Sequence, residues 1–204
     1  MSAPQPHDLL WGMTPAALPV DAPAWATQVL AAGQPVVVRR ACCAAGWVAV
    51  GLRGEGRAQR LGVQMRVADI RRQLRPEALR GQGTSPWAAL QALASVAPVL
   101  DACGLAWGPT GGVGYQLATG VEVLHAASDL DLLLRTPRPI SRVKARELLD
   151  SLDCGPCRID VQLQTPAGGI ALREWAGVAQ RVLLKSALGA RLVADPWNLL
   201  ECAA

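Results

Sequence analysis

The sequence has no phenylalanine, one tyrosine (Tyr115), two histidines (His7 and His125) and two lysines (Lys144 and Lys185) among its 204 residues. Two histidines far apart do not build a histidine metal cage. No apolar run reaches the roughly 18 residues that a membrane-spanning helix needs, so no membrane is expected as a partner. The segment Met1–Asp8 lacks the basic start and apolar stretch of a secretory signal, which gives a cytoplasmic expectation. Charged residues are scarce at 18%, and hydrophobic ones make up 51%, a balance that excludes a disordered chain. The net charge of +4 is too mild to imply nucleic acid.

Arginine supplies all but two of the twenty basic side chains, and there are seven tryptophans. The basic charge is uneven. Residues 1–80 carry ten basic and five acidic side chains, whereas residues 81–204 carry ten and eleven. A basic N-terminal half suits an acidic ligand or partner; a solvated arginine surface is the plainer reading. Six cysteines are present, and Cys154-Gly155-Pro156-Cys157 spells a thioredoxin-type redox tetrapeptide. Such a pair follows a strand and opens a helix, which lowers the first thiol's pKa. Here a helical pattern precedes it and a strand-like run follows, so Gly-Pro reads as turn chemistry. No second ligand pair at zinc spacing accompanies it.

The length suits one or two domains. The periodicity predicts an α+β fold, with a small basic α+β domain over 1–80 and a mixed-sheet domain over 85–204. In the first, Asp21 is placed to cap a helix that Gly33 ends. Val36–Val38, Trp47–Leu52 and Arg60–Val67 read as strands, and Asp69–Leu74 as a short helix stopping before Pro76. Gly81–Thr84 is the linker candidate, and Ser85-Pro86 opens a helix that Pro98 should kink or split. In the second domain Leu105–Trp107 reads as a strand and Val113–Ala118 as a helix ended by Gly120. Leu130–Leu134 reads as a strand, followed by a helix opened by Pro139 and running through Leu152. A strand over Arg158–Leu163 and two short apolar runs complete it.

The chemistry concentrates in Ser128-Asp129-Leu130-Asp131-Leu132. Carboxylates at i and i+2 of a strand share one face about 7 Å apart. Burying both costs energy through desolvation and repulsion, which a divalent cation relieves, and hard oxygen ligands suit Mg²⁺. The bland alternative makes Asp129 a loop residue and Asp131 a solvated strand start. Upstream, Gly108-Pro109-Thr110-Gly111-Gly112-Val113-Gly114 lies between a strand and a helix, where glycines and helix amides admit phosphate. Its spacing fits neither a Walker sequence nor a dinucleotide fingerprint. Downstream, Asp160 stands between Ile159 and Val161 and needs a partner: the same metal site, or a salt bridge to an arginine.

This order resembles the nucleotidyltransferase superfamily of the polymerase-β type. The resemblance implies three carboxylates holding two metal ions, and a glycine-rich turn holding nucleotide phosphates. Two departures are visible: a longer Gly112-to-Asp129 separation, and Gly112 where serine is common.

A narrower likeness covers nearly the whole chain. Gly104 to Gly120, Ser128 to Leu132, His7 to Trp11, Pro35 to Arg40 and Arg191 to Trp197 look like the malonate decarboxylase holo-acyl-carrier-protein synthases, also called phosphoribosyl-dephospho-CoA transferases. The resemblance implies transfer of the phosphoribosyl-dephospho-CoA unit from its triphosphate precursor to a serine of the decarboxylase's acyl carrier protein, with pyrophosphate leaving. Asp129, Asp131 and Asp160 would then bind Mg²⁺, and Gly111, Gly112 and Val113 would offer N–H groups to the leaving pyrophosphate. Lys185 is a candidate phosphate contact. Arg39 and Arg40 are candidates for phosphates or an acidic carrier. The alternatives are a nucleotidyltransferase acting on another acceptor, and a non-enzymatic carrier-binding or redox module.

Overall fold

The computed structural model describes residues 3–55, 58–80, 86–153 and 155–198. The linker candidate Gly81–Thr84, the helix-opening Ser85, and two of the six cysteines, Cys154 and Cys202, lie outside them. The chain forms helices and two sheets, an α+β fold, in two compact units, Met1–Arg75 and Pro76–Ala204.

The first unit contains β1 (Leu9–Trp11), α1 (Ala24–Ala31), β2 (Val36–Val38), β3 (Trp47–Arg53), β4 (Arg60–Arg66) and β5 (Arg72–Leu74). They form an antiparallel sheet in the order β4-β3-β2-β1-β5. Alternation fixes its faces: Val48, Val50 and Leu52 of β3, and Leu61, Val63 and Met65 of β4, turn inward onto Ala26 and Leu30 of α1. The helix expected over Asp69–Leu74 is instead a 3-10 turn, Val67–Asp69, and the strand β5. Local composition loses here to tertiary pairing: β1 offers an open edge, and Leu74 pairs with Leu9 across it. Asp21 caps nothing, since α1 starts after Pro23 without a side-chain cap. Gly33, at φ +70°, follows the helix end as expected.

The second unit contains α2 (Ala88–Ala102), β6 (Trp107–Pro109), α3 (Gly111–Thr119), β7 (Leu130–Arg135), α4 (Arg142–Leu152), β8 (Ile159–Gln164), β9 (Gly169–Ala171), α5 (Leu172–Trp175), β10 (Val182–Ser186) and β11 (Gly189–Val193). Its sheet runs β11-β10-β9-β8-β7-β6, and only β7 and β8 are parallel. A parallel pair needs a crossover, which α4 supplies. Ser141 caps α4 by accepting the Lys144 N–H at 3.1 Å. Pro98 does not split α2, which runs through it with Leu93, Val96 and Leu100 buried. That packing offsets the roughly 3 kcal/mol an interior proline costs. The strand expected at Leu105–Trp107 lies two residues later, where Trp107 pairs with Leu134 and Pro109 sits on the sheet's edge, a place that tolerates a missing N–H.

Strand period puts Leu130, Leu132, Leu134, Ile159, Val161 and Leu163 into the core and sends Asp131, Arg135, Asp160, Gln162 and Gln164 to the opposite face. Leu134 is fully buried. Leu134→Ala is therefore expected to cost about 3 kcal/mol through lost burial and the cavity left, read as a lower urea midpoint with unchanged m-value.

Candidate active site

Asp131 and Asp160 stand side by side because β7 and β8 run parallel in the register Asp131↔Asp160. Asp129 precedes the ladder, which begins at Leu130 with its N–H donating to Arg158 O at 2.9 Å. The two acids of the Asp-x-Asp run are therefore not both strand residues, contrary to the sequence reading. Asp129 lies just before the pleated strand. Asp129, Asp131 and Asp160 each offer a carboxylate oxygen, and these oxygens all lie within 4.8 Å of one another. All three residues are half-buried.

The start of α3 is fastened to the same place. Thr110 donates its N–H to Asp131 O at 2.8 Å, and its side chain does not cap the helix. Gly111 has φ +58°, and a Cβ there would lie 2.1 Å from Asp131 Oδ2. Glycine is demanded twice, by the backbone angle and by the carboxylate lying against it. The first intrahelical bond runs from Gly114 N to Thr110 O at 2.9 Å. The amides of Gly111, Gly112 and Val113 thus fall in the turn whose N–H groups a helix leaves without internal partners. Val113 itself is buried in the core, so only its backbone can serve a ligand.

Arg158 escaped the sequence reading. Its Nε and a terminal nitrogen donate to Asp160 Oδ1 at 3.1 and 3.0 Å. The signal was present: Arg158 and Asp160 are two residues apart on an alternating run, hence on one face. The salt bridge considered for Asp160 is present, and its carboxylate also lies in the acid cluster.

Lys185 does not join this cluster. It lies opposite Gly169, which lies opposite Gln164. Gln164 is four residues along β8 from Asp160, roughly 13 Å at strand spacing, and β10 is two strands away, roughly 10 Å more. Arg39 and Arg40 belong to the first unit, where Arg39 lies over Gly51 and Gly62 and Arg40 meets His7 Nε2 at 3.2 Å.

Of the Cys-Gly-Pro-Cys run, the described residues Gly155, Pro156 and Cys157 fall between α4 and β8, the helix-to-strand setting expected of a turn. Burial pushes the Cys157 thiol up; a backbone hydrogen bond at Leu130 opposes this, and the Asp129 charge adds to it. Cys157 is therefore expected to react with iodoacetamide more slowly than glutathione at pH 8, and to accelerate as the pH rises past 9. Following the rate by mass spectrometry checks this; a rate above that of glutathione would show that burial does not govern this thiol.

Family profiles match almost the whole chain. "Phosphoribosyl-dephospho-CoA transferase MdcG N-terminal domain" matches residues 5–76, and "Phosphoribosyl-dephospho-CoA transferase MdcG C-terminal domain" matches residues 73–196. The chain is 98% identical to the phosphoribosyl-dephospho-CoA transferase of Pseudomonas putida (strain W619) over 204 residues, all of both chains. It is 60% identical to that of Azotobacter vinelandii, covering 96% of this chain and 95% of the relative. The Pseudomonas aeruginosa relative of the same name is 54% identical, with 98% and 97% covered. No solved structure matches the chain. With both profiles and full-length relatives in agreement, the chain belongs to the phosphoribosyl-dephospho-CoA transferase family of enzymes.

Proposed function

We propose that this transferase moves the phosphoribosyl-dephospho-CoA unit from its triphosphate precursor onto a serine of the malonate decarboxylase acyl carrier protein, releasing pyrophosphate, in the cytoplasm. The observation that carries this reading is the convergence of three carboxylates within 4.8 Å beside the uncapped start of α3.

The donor set fits magnesium. All three groups are hard oxygen donors, and like charges this close favour a bound cation. Asp129, Asp131 and Asp160 would hold it. Bound there, magnesium neutralises charge on the reacting phosphoryl group and helps orient it. The chain's own residues do the rest. The first-turn amides of α3 receive the phosphates that leave, at the positive end of a helix dipole. Gly111 keeps that turn close against Asp131. Asp160 takes the proton from the serine hydroxyl as the serine oxygen bonds to the α-phosphorus and the α–β phosphoanhydride bond breaks. Little further machinery is needed, since phosphoryl-type transfer depends mainly on positioning and charge.

A pyrophosphate-release assay tests the reading: one pyrophosphate should appear per carrier modified with the precursor, and none when a carrier lacking the acceptor serine is used. Label transfer from ATP in place of the precursor would point to a different nucleotidyltransferase.

Arg158 competes with a cation for Asp160. Arg158→Ala is expected to tighten Mg²⁺ or Mn²⁺ binding several-fold by calorimetry, because one positive charge leaves the acid cluster. Unchanged or weaker metal binding would show that Arg158 does not oppose the ion.

A further inference from the structure

None of the five strands of the first unit contains an aspartate or glutamate. Their register collects the basic side chains on one face. Arg53 pairs with Arg60, and Trp47 pairs with Arg66. Gly51 and Gly62 pair between these two rungs, and Val37 and Leu9 continue their row toward Trp11, which pairs with Arg72. Every one of these positions is on the side of the sheet opposite the core residues Val50, Leu52 and Met65. Arg39 extends over the glycine pair: a Cβ on Gly62 would lie 2.0 Å from its terminal nitrogen. Arg60, Gln64 and Arg66 are exposed, and Trp47 is 39% exposed beneath the Arg66 guanidinium, 5.3 Å from its ring centre.

We infer that this face, at its β3–β4 end, is the docking surface for an acidic protein, the carrier subunit; the inference rests on the carrier-modifying reading given above. Three observations select a protein over a phosphate ligand. The Arg53–Arg60 and Trp47–Arg66 rungs are six residues apart, roughly 20 Å along the strands, so no single phosphate group engages both. Arginines spread at that spacing suit a surface bearing several carboxylates. An exposed tryptophan at the edge of the patch supplies the aromatic anchor that protein interfaces concentrate their binding energy on. Charge complementarity of this kind governs encounter and partner choice, and it weakens with salt.

The test is the charge-reversed pair Arg60→Glu with Arg66→Glu, neither residue being part of the acid cluster. Direct binding of the apo-carrier is measured by calorimetry or interferometry, independently of chemistry, at two salt concentrations. Carrier affinity is expected to fall at least tenfold and to lose most of its salt dependence. In turnover, KM for the carrier should rise by a similar factor, while KM for the precursor and kcat stay within about twofold. The neutral pair Arg60→Gln with Arg66→Gln should lie between, and it carries the test if the reversed pair fails to fold. Unchanged carrier affinity in the folded variants would overturn the inference. So would a single-stranded RNA that binds the wild type more tightly than the carrier does and is lost in the same variants. A wild type that binds the carrier through these arginines yet never modifies it would instead sink the carrier-modifying reading and leave the docking face standing.

Discussion

Asp131→Asn is expected to lower the rate of carrier modification by about three orders of magnitude while leaving the fold intact. A bound cation contributes several kcal/mol of charge stabilisation to a phosphoryl transition state, and each 1.36 kcal/mol is a factor of ten in rate. Asp131 is the central acid of the three: β7 sets it beside Asp160, and the start of α3 rests against its side chain. Stability should move the other way. Removing one of three mutually repelling carboxylates relieves strain in the metal-free protein, so its melting temperature should stay level or rise slightly. Added Mg²⁺ should raise the wild-type midpoint by mass action and leave that of the variant unmoved. A variant that melts early would show that Asp131 serves the fold. One that retains both the metal response and the activity would remove it from the site.

Gly111→Ala is expected to disable the site by adding a single methyl group. At φ +58° an L-residue pays about 1–2 kcal/mol in backbone strain, and the new Cβ meets the Asp131 carboxylate at 2.1 Å. The carboxylate or the helix start must move, and either displacement separates the acids from the α3 amides. Misplacement on the scale of 1 Å costs about a hundredfold in rate, so a loss of at least that size is expected. Gly120→Ala is the control. Gly120 ends the same helix at φ +73° with nothing within 4 Å of an added Cβ, so it carries the strain without the collision. It should lose comparable stability and keep its activity. Equal activity losses in the two variants would mean that backbone strain alone acts.

The sequence made much of this legible, and the physics says which parts. Strand alternation placed Leu130, Leu132 and Leu134 opposite Asp131, and Ile159 and Val161 opposite Asp160, because period two is a property of the chain itself. Gly120 announced the end of α3 for the same local reason. The strand β5 was hidden, since Arg72–Leu74 becomes a strand only by pairing with β1, and no local pattern records a partner 60 residues away. The continuity of α2 through Pro98 was hidden too, because packing overrides a local penalty. Within the site, residue types sufficed to name the three acids, but not their arrangement. The parallel pairing of β7 with β8 sets Asp160 against Asp131, and Asp129 joins them from just before the ladder. Lys185 illustrates the converse. Its sequence context, a lysine in an apolar run, matched a phosphate contact, but two intervening strand pairings carry it to the far end of the sheet.

The most direct measurement is the mass of the carrier subunit after incubation with the enzyme and the triphosphate precursor, with magnesium and with EDTA in its place. A gain equal to one phosphoribosyl-dephospho-CoA unit with magnesium, none with EDTA, and recovery when magnesium is restored is the predicted outcome. Full modification in EDTA by enzyme stripped of metal would contradict the assignment of Asp129, Asp131 and Asp160 to a cation.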